Sequence, residues 1–192
     1  MFDAPTWLRW LAFGLSLSGI TAIFVLSGAT ALRDDFQFFP PPSRQSWQHK
    51  AFLILFRVFL YPLIALTLFV FEPSAQGRLV WLWVLGSLLM VAGFGMAFRI
   101  TFQMGWRNAF GEKRGLMTTG WFSRSRNPVY IFTWLGLIGW ALVAQSSLVT
   151  VLLLAWALLY VFAPIFEEPW LAEQYGETYL DYKRNVPRFF RL

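Results

Sequence analysis

Two stretches of this chain carry the polar side chains able to do chemistry. The first, Gly115 to Tyr130, reads Gly-Leu-Met-Thr-Thr-Gly-Trp-Phe-Ser-Arg-Ser-Arg-Asn-Pro-Val-Tyr, and the second opens Phe166-Glu167-Glu168-Pro169-Trp170-Leu171. Arg126, Asn127 and open loop N–H groups can bind an anionic or hydroxyl-bearing group, Glu167 can pair with a cation, and the faces of Trp121, Phe122 and Tyr130 attract positive charge. Thiolate chemistry is excluded by the absence of cysteine, and a single histidine leaves no zinc cluster, so no metal site is expected.

The elements that hold these stretches are membrane helices. A chain of 192 residues that is 57% hydrophobic, 20% aromatic and 14% charged is too apolar for a soluble domain of its size. Apolar runs from Trp7 to Ala29, Ala51 to Phe71, Leu79 to Phe98, Val129 to Ala144 and Leu148 to Phe166 predict about five spans, the longer ones matching the roughly 20 residues a spanning helix needs. The first run is too long, and its flank too poorly basic, for a cleaved leader. Gly14, Ser18 and Ala22 form one row of small residues, and Gly86, Gly93 and Ala97 another, each a candidate helix contact. Phe39-Pro40-Pro41-Pro42 marks a loop. His49 reads as an interfacial anchor, and Arg57, inside the second span, either snorkels or turns inward to an anion.

Charge sets the orientation. Lys and Arg number three in 32–50, six in 99–126 and four in 183–191, thirteen on one side, against Arg9 and Arg78 on the other. The positive-inside bias then places the N-terminus outside, and the C-terminus and the central stretch on the cytoplasmic face. The net charge of +6 is explained by this topology and gives no case for nucleic acid. Irregular backbone between two spans must lie at the surface, be covered by protein or line a polar cavity; the central stretch is read as lining a cavity. Beyond the Glu pair, Leu171, Tyr175, Tyr179 and Tyr182 recur at helical spacing, which predicts an amphipathic C-terminal helix roofing the site.

With both motifs in order around a helical hairpin, residues 103–188 resemble the isoprenylcysteine carboxyl methyltransferase and phospholipid methyltransferase superfamily of membrane enzymes. The resemblance implies S-adenosylmethionine as cofactor; with the apolar runs it predicts a single membrane domain over 1–192, 1–98 being a three-helix part and 99–192 the methyltransferase core. It implies that Arg114, Gly115, Leu116 and Met117 meet the adenosine and that Phe122 stands where relatives often have tyrosine. By the same likeness Arg126, Asn127, Pro128, Val129 and Tyr130 contact the cofactor, as does Glu167. Gly105-Trp106-Arg107 resembles a shortened Gly-x-x-Trp-Arg element, which makes Arg107, with Glu168, a catalytic candidate.

The acceptor implied is a lipophilic or small molecule: a prenylcysteine carboxylate, a lipid amine or a thiol. The prenylcysteine branch has an arginine about one turn before the Glu pair, where this chain has Tyr160-Val161-Phe162-Ala163. Competing readings are a non-catalytic lipid-binding or scaffold protein and a nicotinamide-dependent sterol-type reductase.

Overall fold

The computed structural model describes residues 4–33, 35–71, 79–105 and 115–190, and among them are six α-helices. They are α1 (Thr6–Leu32), α2 (Trp47–Val70), α3 (Val80–Met104), α4 (Pro128–Ala144), α5 (Ser147–Tyr175) and α6 (Glu177–Asn185), with a 3-10 turn at Gly120–Ser123. Four of them, α1, α2, α3 and α5, are long and apolar enough to cross a membrane, and α4 is a shorter apolar helix of 17 residues. The all-α membrane architecture of about five spans therefore stands. Large side chains on the outer faces, such as Trp81, Leu88 and Val91 of α3, are exposed, as a lipid-facing surface requires.

The helices assemble as two tight pairs around α5. In the α3–α4 pair glycine backbones touch: a Cβ at Gly86 would lie 2.7 Å from the Gly139 carbonyl oxygen, and one at Gly93 would collide with the Gly136 backbone nitrogen. Association inside lipid gains little from hydrophobic burial, so such close approach supplies the dispersion contacts that hold the pair. The row Gly86, Gly93 and Ala97 is buried along this contact, as expected.

The α1–α2 pair uses Gly19, where a Cβ would lie 2.7 Å from the Phe59 backbone nitrogen, and Ser16, whose hydroxyl donates to the Phe59 carbonyl at 2.9 Å. The expected row of Gly14, Ser18 and Ala22 is not the one in contact: a Cβ at Gly14 would meet open space and Ser18 is exposed. Ala12, Ser16, Ile20 and Ile23 are the buried ones. The Ser16 hydrogen bond to a partner backbone, which a row of small residues cannot disclose, marks the face that is used.

Helix α5 then fills the centre. Val149, Leu152, Leu153 and Trp156 share a core with Phe59, Leu63, Leu66, Leu137 and Trp140. Indole N–H groups tie the layers, Trp140 donating to Thr67 at 3.0 Å and Trp134 to the Ala157 carbonyl at 3.1 Å.

The span expected to stop at Phe166 continues unbroken to Tyr175, through Pro164 and Pro169. At 1.5 Å per residue its 29 residues reach roughly 43 Å, well past the roughly 30 Å hydrocarbon core. About two and a half turns, starting near Glu167, are left to stand beyond the apolar layer. Gly176, at φ +54°, ends the helix and reverses the chain into α6.

Gly93→Ala should lower the thermal midpoint of detergent-purified protein by several degrees, because overpacking costs roughly 1 to 3 kcal/mol. Gly95→Ala, two residues on and facing open space, should leave it within about a degree. Equal midpoints for the two variants would contradict backbone-to-backbone packing of α3 on α4.

Candidate functional site

Pro128 starts α4: its φ is preset for a helix and its missing N–H falls where no intrahelical partner exists. That fixes Arg126 and Asn127 just ahead of the helix, opposite the end of α5. The C-terminal tail lies across them. Backbone N–H of Arg126 donates to the Pro187 carbonyl at 2.9 Å, and the Ser125 hydroxyl and Asn127 amide both donate to the Arg188 carbonyl, at 3.1 and 3.0 Å. Arg126 Nη1 donates to the carbonyls of Lys183 and Val186, each at 2.8 Å.

At the centre sits Glu168, 5% exposed. Arg126 Nη2 and Arg188 Nε both reach its Oε1 at 2.7 Å, while Arg188 Nη2 and Lys183 Nζ reach Oε2 at 2.9 and 3.0 Å. Three cations on one carboxylate make a charge-assisted network with its lone pairs filled, the condition under which a buried ion cluster is tolerated. The same contacts hold the Arg188 guanidinium, in the tail outside the spans, above its ordinary pKa.

Glu167 points elsewhere. Its Oε1 accepts the Tyr130 hydroxyl at 2.6 Å, and Oε2 has no hydrogen-bond partner among the described residues. The Tyr130 and Tyr160 rings lie 4.4 Å apart, tilted by 37°. Beside them is a cavity of about 30 Å³ lined by Ser27, Phe39, Phe52, Tyr130, Tyr160 and Phe166, among others. The Ser27 hydroxyl there is buried with no partner among the described residues. The α1–α2 loop, the start of α4 and the end of α5 thus meet at one end of the bundle. At the opposite end the Gln145 amide donates to the Leu79 carbonyl.

Leu116, Met117 and Phe122 of the loop pack with Ile100, Val129, Tyr179 and Tyr182 in a second core beneath α6. Burial pushes the Tyr179 phenol to about 12 and the Tyr182 phenol up as well, so the Tyr182 hydroxyl keeps its proton and donates to the Phe122 carbonyl at 2.6 Å. Gly115, at φ +109°, and Gly120, at φ +64°, bracket this extended backbone. Trp121 lies outside the Tyr130 cavity: it packs edge-on to Phe132 and carries Arg124 over its ring. Arg107 and Arg114 lie outside the described residues.

The structure therefore brings Arg126, Asn127 and Tyr130 together with Glu167 and Glu168, and adds residues that motif reasoning passed over: Ser125, Tyr160, Lys183 and Arg188. Lys183 and Arg188 counted only toward topology, although tail cations near two membrane-edge carboxylates were a usable signal. Among the described residues no group of three or more His, Cys, Asp or Glu is placed to hold a metal ion.

Glu168→Gln should cost roughly 3 kcal/mol by leaving the buried Arg126 guanidinium uncompensated. The check is limited proteolysis, with cleavage after Lys183 or Arg184 accelerated at least tenfold; a cleavage rate equal to wild type would count against the cluster as the tail's anchor.

A family model described as phospholipid methyltransferase matches residues 81–178, from α3 into α6. The nickel-cobalt-cadmium resistance protein NccN of Alcaligenes xylosoxydans xylosoxydans is 31% identical over 112 residues, covering 56% of this chain and 52% of that protein. The cobalt-zinc-cadmium resistance protein CzcN of Cupriavidus metallidurans is 33% identical over 112 residues, covering 56% of this chain and 51% of that protein. The chain thus spans about half the length of the curated relatives it matches. No solved structure matches. With the family model spanning half of its length, including both motifs and the helical hairpin between them, this chain belongs to the phospholipid methyltransferase family, a family of membrane methyltransferases.

Proposed function

We propose that the protein is an S-adenosylmethionine-dependent membrane methyltransferase acting on a lipophilic acceptor. The observation that carries the reading is the Tyr130–Glu167 hydrogen bond of 2.6 Å, next to the Arg126-Asn127-Pro128 turn and beside a small aromatic-lined cavity that Tyr130 borders. A ligand with an ammonium, a sulfonium and an adenine calls for an anion, aromatic faces and backbone donors. Glu167 has an oxygen to offer the ammonium, and Tyr130, Tyr160 and Phe166 have rings to offer the sulfonium. Among the described residues no backbone hydrogen bond closes 116–118, which leaves those groups available to the adenosine. Arg126 and Asn127 spend most of their donors on Glu168 and the tail. Their role in this reading is to hold Pro128, Val129 and Tyr130 in place, with Glu168 as the positioning partner rather than a base.

When bound, the cofactor supplies a methyl group on a good leaving group, and the protein's task is alignment in a dry pocket, which contributes up to roughly 7 to 11 kcal/mol. Within residues 99–192, α4 and α5 supply Tyr130, Tyr160 and Phe166, and Ser27, Phe39 and Phe52 from α1, the loop after it and α2 complete the wall. The acceptor follows from charge. None of the described cavity-lining residues is cationic, and Arg57 is exposed on α2. An acceptor carboxylate would therefore face Glu167 uncompensated, whereas an uncharged amine or thiol would not. The site faces the cytoplasm, where the soluble cofactor is found, and the N-terminus lies outside.

Titration calorimetry in detergent should show saturable S-adenosylmethionine binding, weakened about tenfold or more by Glu167→Gln and by Tyr130→Ala in variants that stay folded. No binding at millimolar cofactor, or binding indifferent to both changes, would overturn the reading. A labelled methyl group should appear in amine or thiol pools; label confined to prenylpeptide carboxylates would contradict the choice of acceptor.

A further inference from the structure

A second concavity lies on the lipid-facing side of α4. Its volume is about 560 Å³, within the range of roughly 300 to 1,000 Å³ typical of small-molecule sites, and its wall is almost wholly apolar. The floor is Pro128, Ile131, Leu135 and Ile138; Trp121 and Arg124 wall one side and Phe189 and Phe190 of the tail the other. Tyr130 projects from a different face of α4 into the small cavity, so the groove is separate from the Tyr130–Glu167 site.

Its length and its polar end define an occupant. From Pro128 to Ile138 the helix rises about 15 Å, half of the roughly 30 Å hydrocarbon core, the depth of one leaflet. At the end where the apolar layer gives way to the loop, the Arg124 guanidinium lies 5.5 Å from the centre of the Trp121 ring. Arg124 is exposed and makes no ion pair among the described residues. A planar guanidinium at headgroup level, held over the ring of an interfacial tryptophan, matches a phosphate in charge and geometry.

We propose that this groove is a binding site for one phospholipid of the leaflet that adjoins the loop, with an acyl chain along α4 and its phosphate on Arg124. The lipid covers Phe189 and Phe190, next to the Arg188 that the Glu168 cluster holds. The site stands whether or not the protein transfers methyl groups.

The test is native mass spectrometry of the delipidated full chain titrated with phosphatidylglycerol or, as a headgroup-free probe, diacylglycerol. Wild type should bind one phosphatidylglycerol saturably. Ile138→Trp, at a position already 54% exposed, should abolish that binding by filling the groove, while Val91→Trp, at a 74% exposed position on α3, should leave it unchanged. Arg124→Gln, a surface change that folding should survive, should weaken phosphatidylglycerol roughly fivefold and leave diacylglycerol unaffected. Equal phosphatidylglycerol binding by wild type and Ile138→Trp, or by wild type and Arg124→Gln, overturns the proposal. So does a dimer that Ile138→Trp dissociates, which would give the groove to a second copy of the chain.

Discussion

The structure around the site depends on one buried carboxylate. Glu168 stands where α5 leaves the apolar layer and collects Arg126 from the loop with Lys183 and Arg188 from the tail, all within 3.0 Å. A charge in that place is tolerable only if its partners are present. Their convergence ties three separate segments to one point: the turn into α4, the end of α5, and α6 with the chain just after it. Once Arg126 is committed there and to the tail carbonyls, the next helical turn presents Tyr130 to the neighbouring Glu167.

Adjacent glutamates on one helix thereby take different roles. A step of one residue turns a side chain by about 100° around the helix. Glu168 thus looks toward the loop and tail cations, and Glu167 toward α4, where it meets a tyrosine hydroxyl and an aromatic wall. One carboxylate is consumed in structure; the other keeps an oxygen for a ligand. The glycine contacts of α3 on α4 serve the same end, because they fix the helix that carries Tyr130 with backbone rather than with flexible side chains.

Much of this was legible in the sequence. Apolar runs disclosed the helices because lipid allows few other structures, and the row of Gly86, Gly93 and Ala97 disclosed a contact because small residues on one face have little other use there. The meeting of the two motifs followed from the short α4–α5 turn. Other features were not legible, for physical reasons. The apolar run ends at Phe166, but the helix continues through Pro169, because proline late in a helix already built, near its end and close to the interface, leaves a freed carbonyl within reach of other donors. Arg126 looked like a ligand contact, yet its geometry is mostly spent on Glu168 and on carbonyls some sixty residues away in sequence. Periodicity predicts the faces of α6, not which distant side chain its last carbonyls and the residues beyond it will meet.

The most direct measurement of the central claim is a distance across the cluster. The chain has no cysteine, so spin labels at Ser123 and Asn185, both exposed, would be unique, and pulsed electron resonance in lipid would report how firmly the tail sits on the loop. A tail held by Glu168 gives a single narrow distance distribution that broadens in Glu168→Gln and is retained in Glu167→Gln. A broad distribution in the unmodified background, or a narrow one that survives Glu168→Gln, would contradict it.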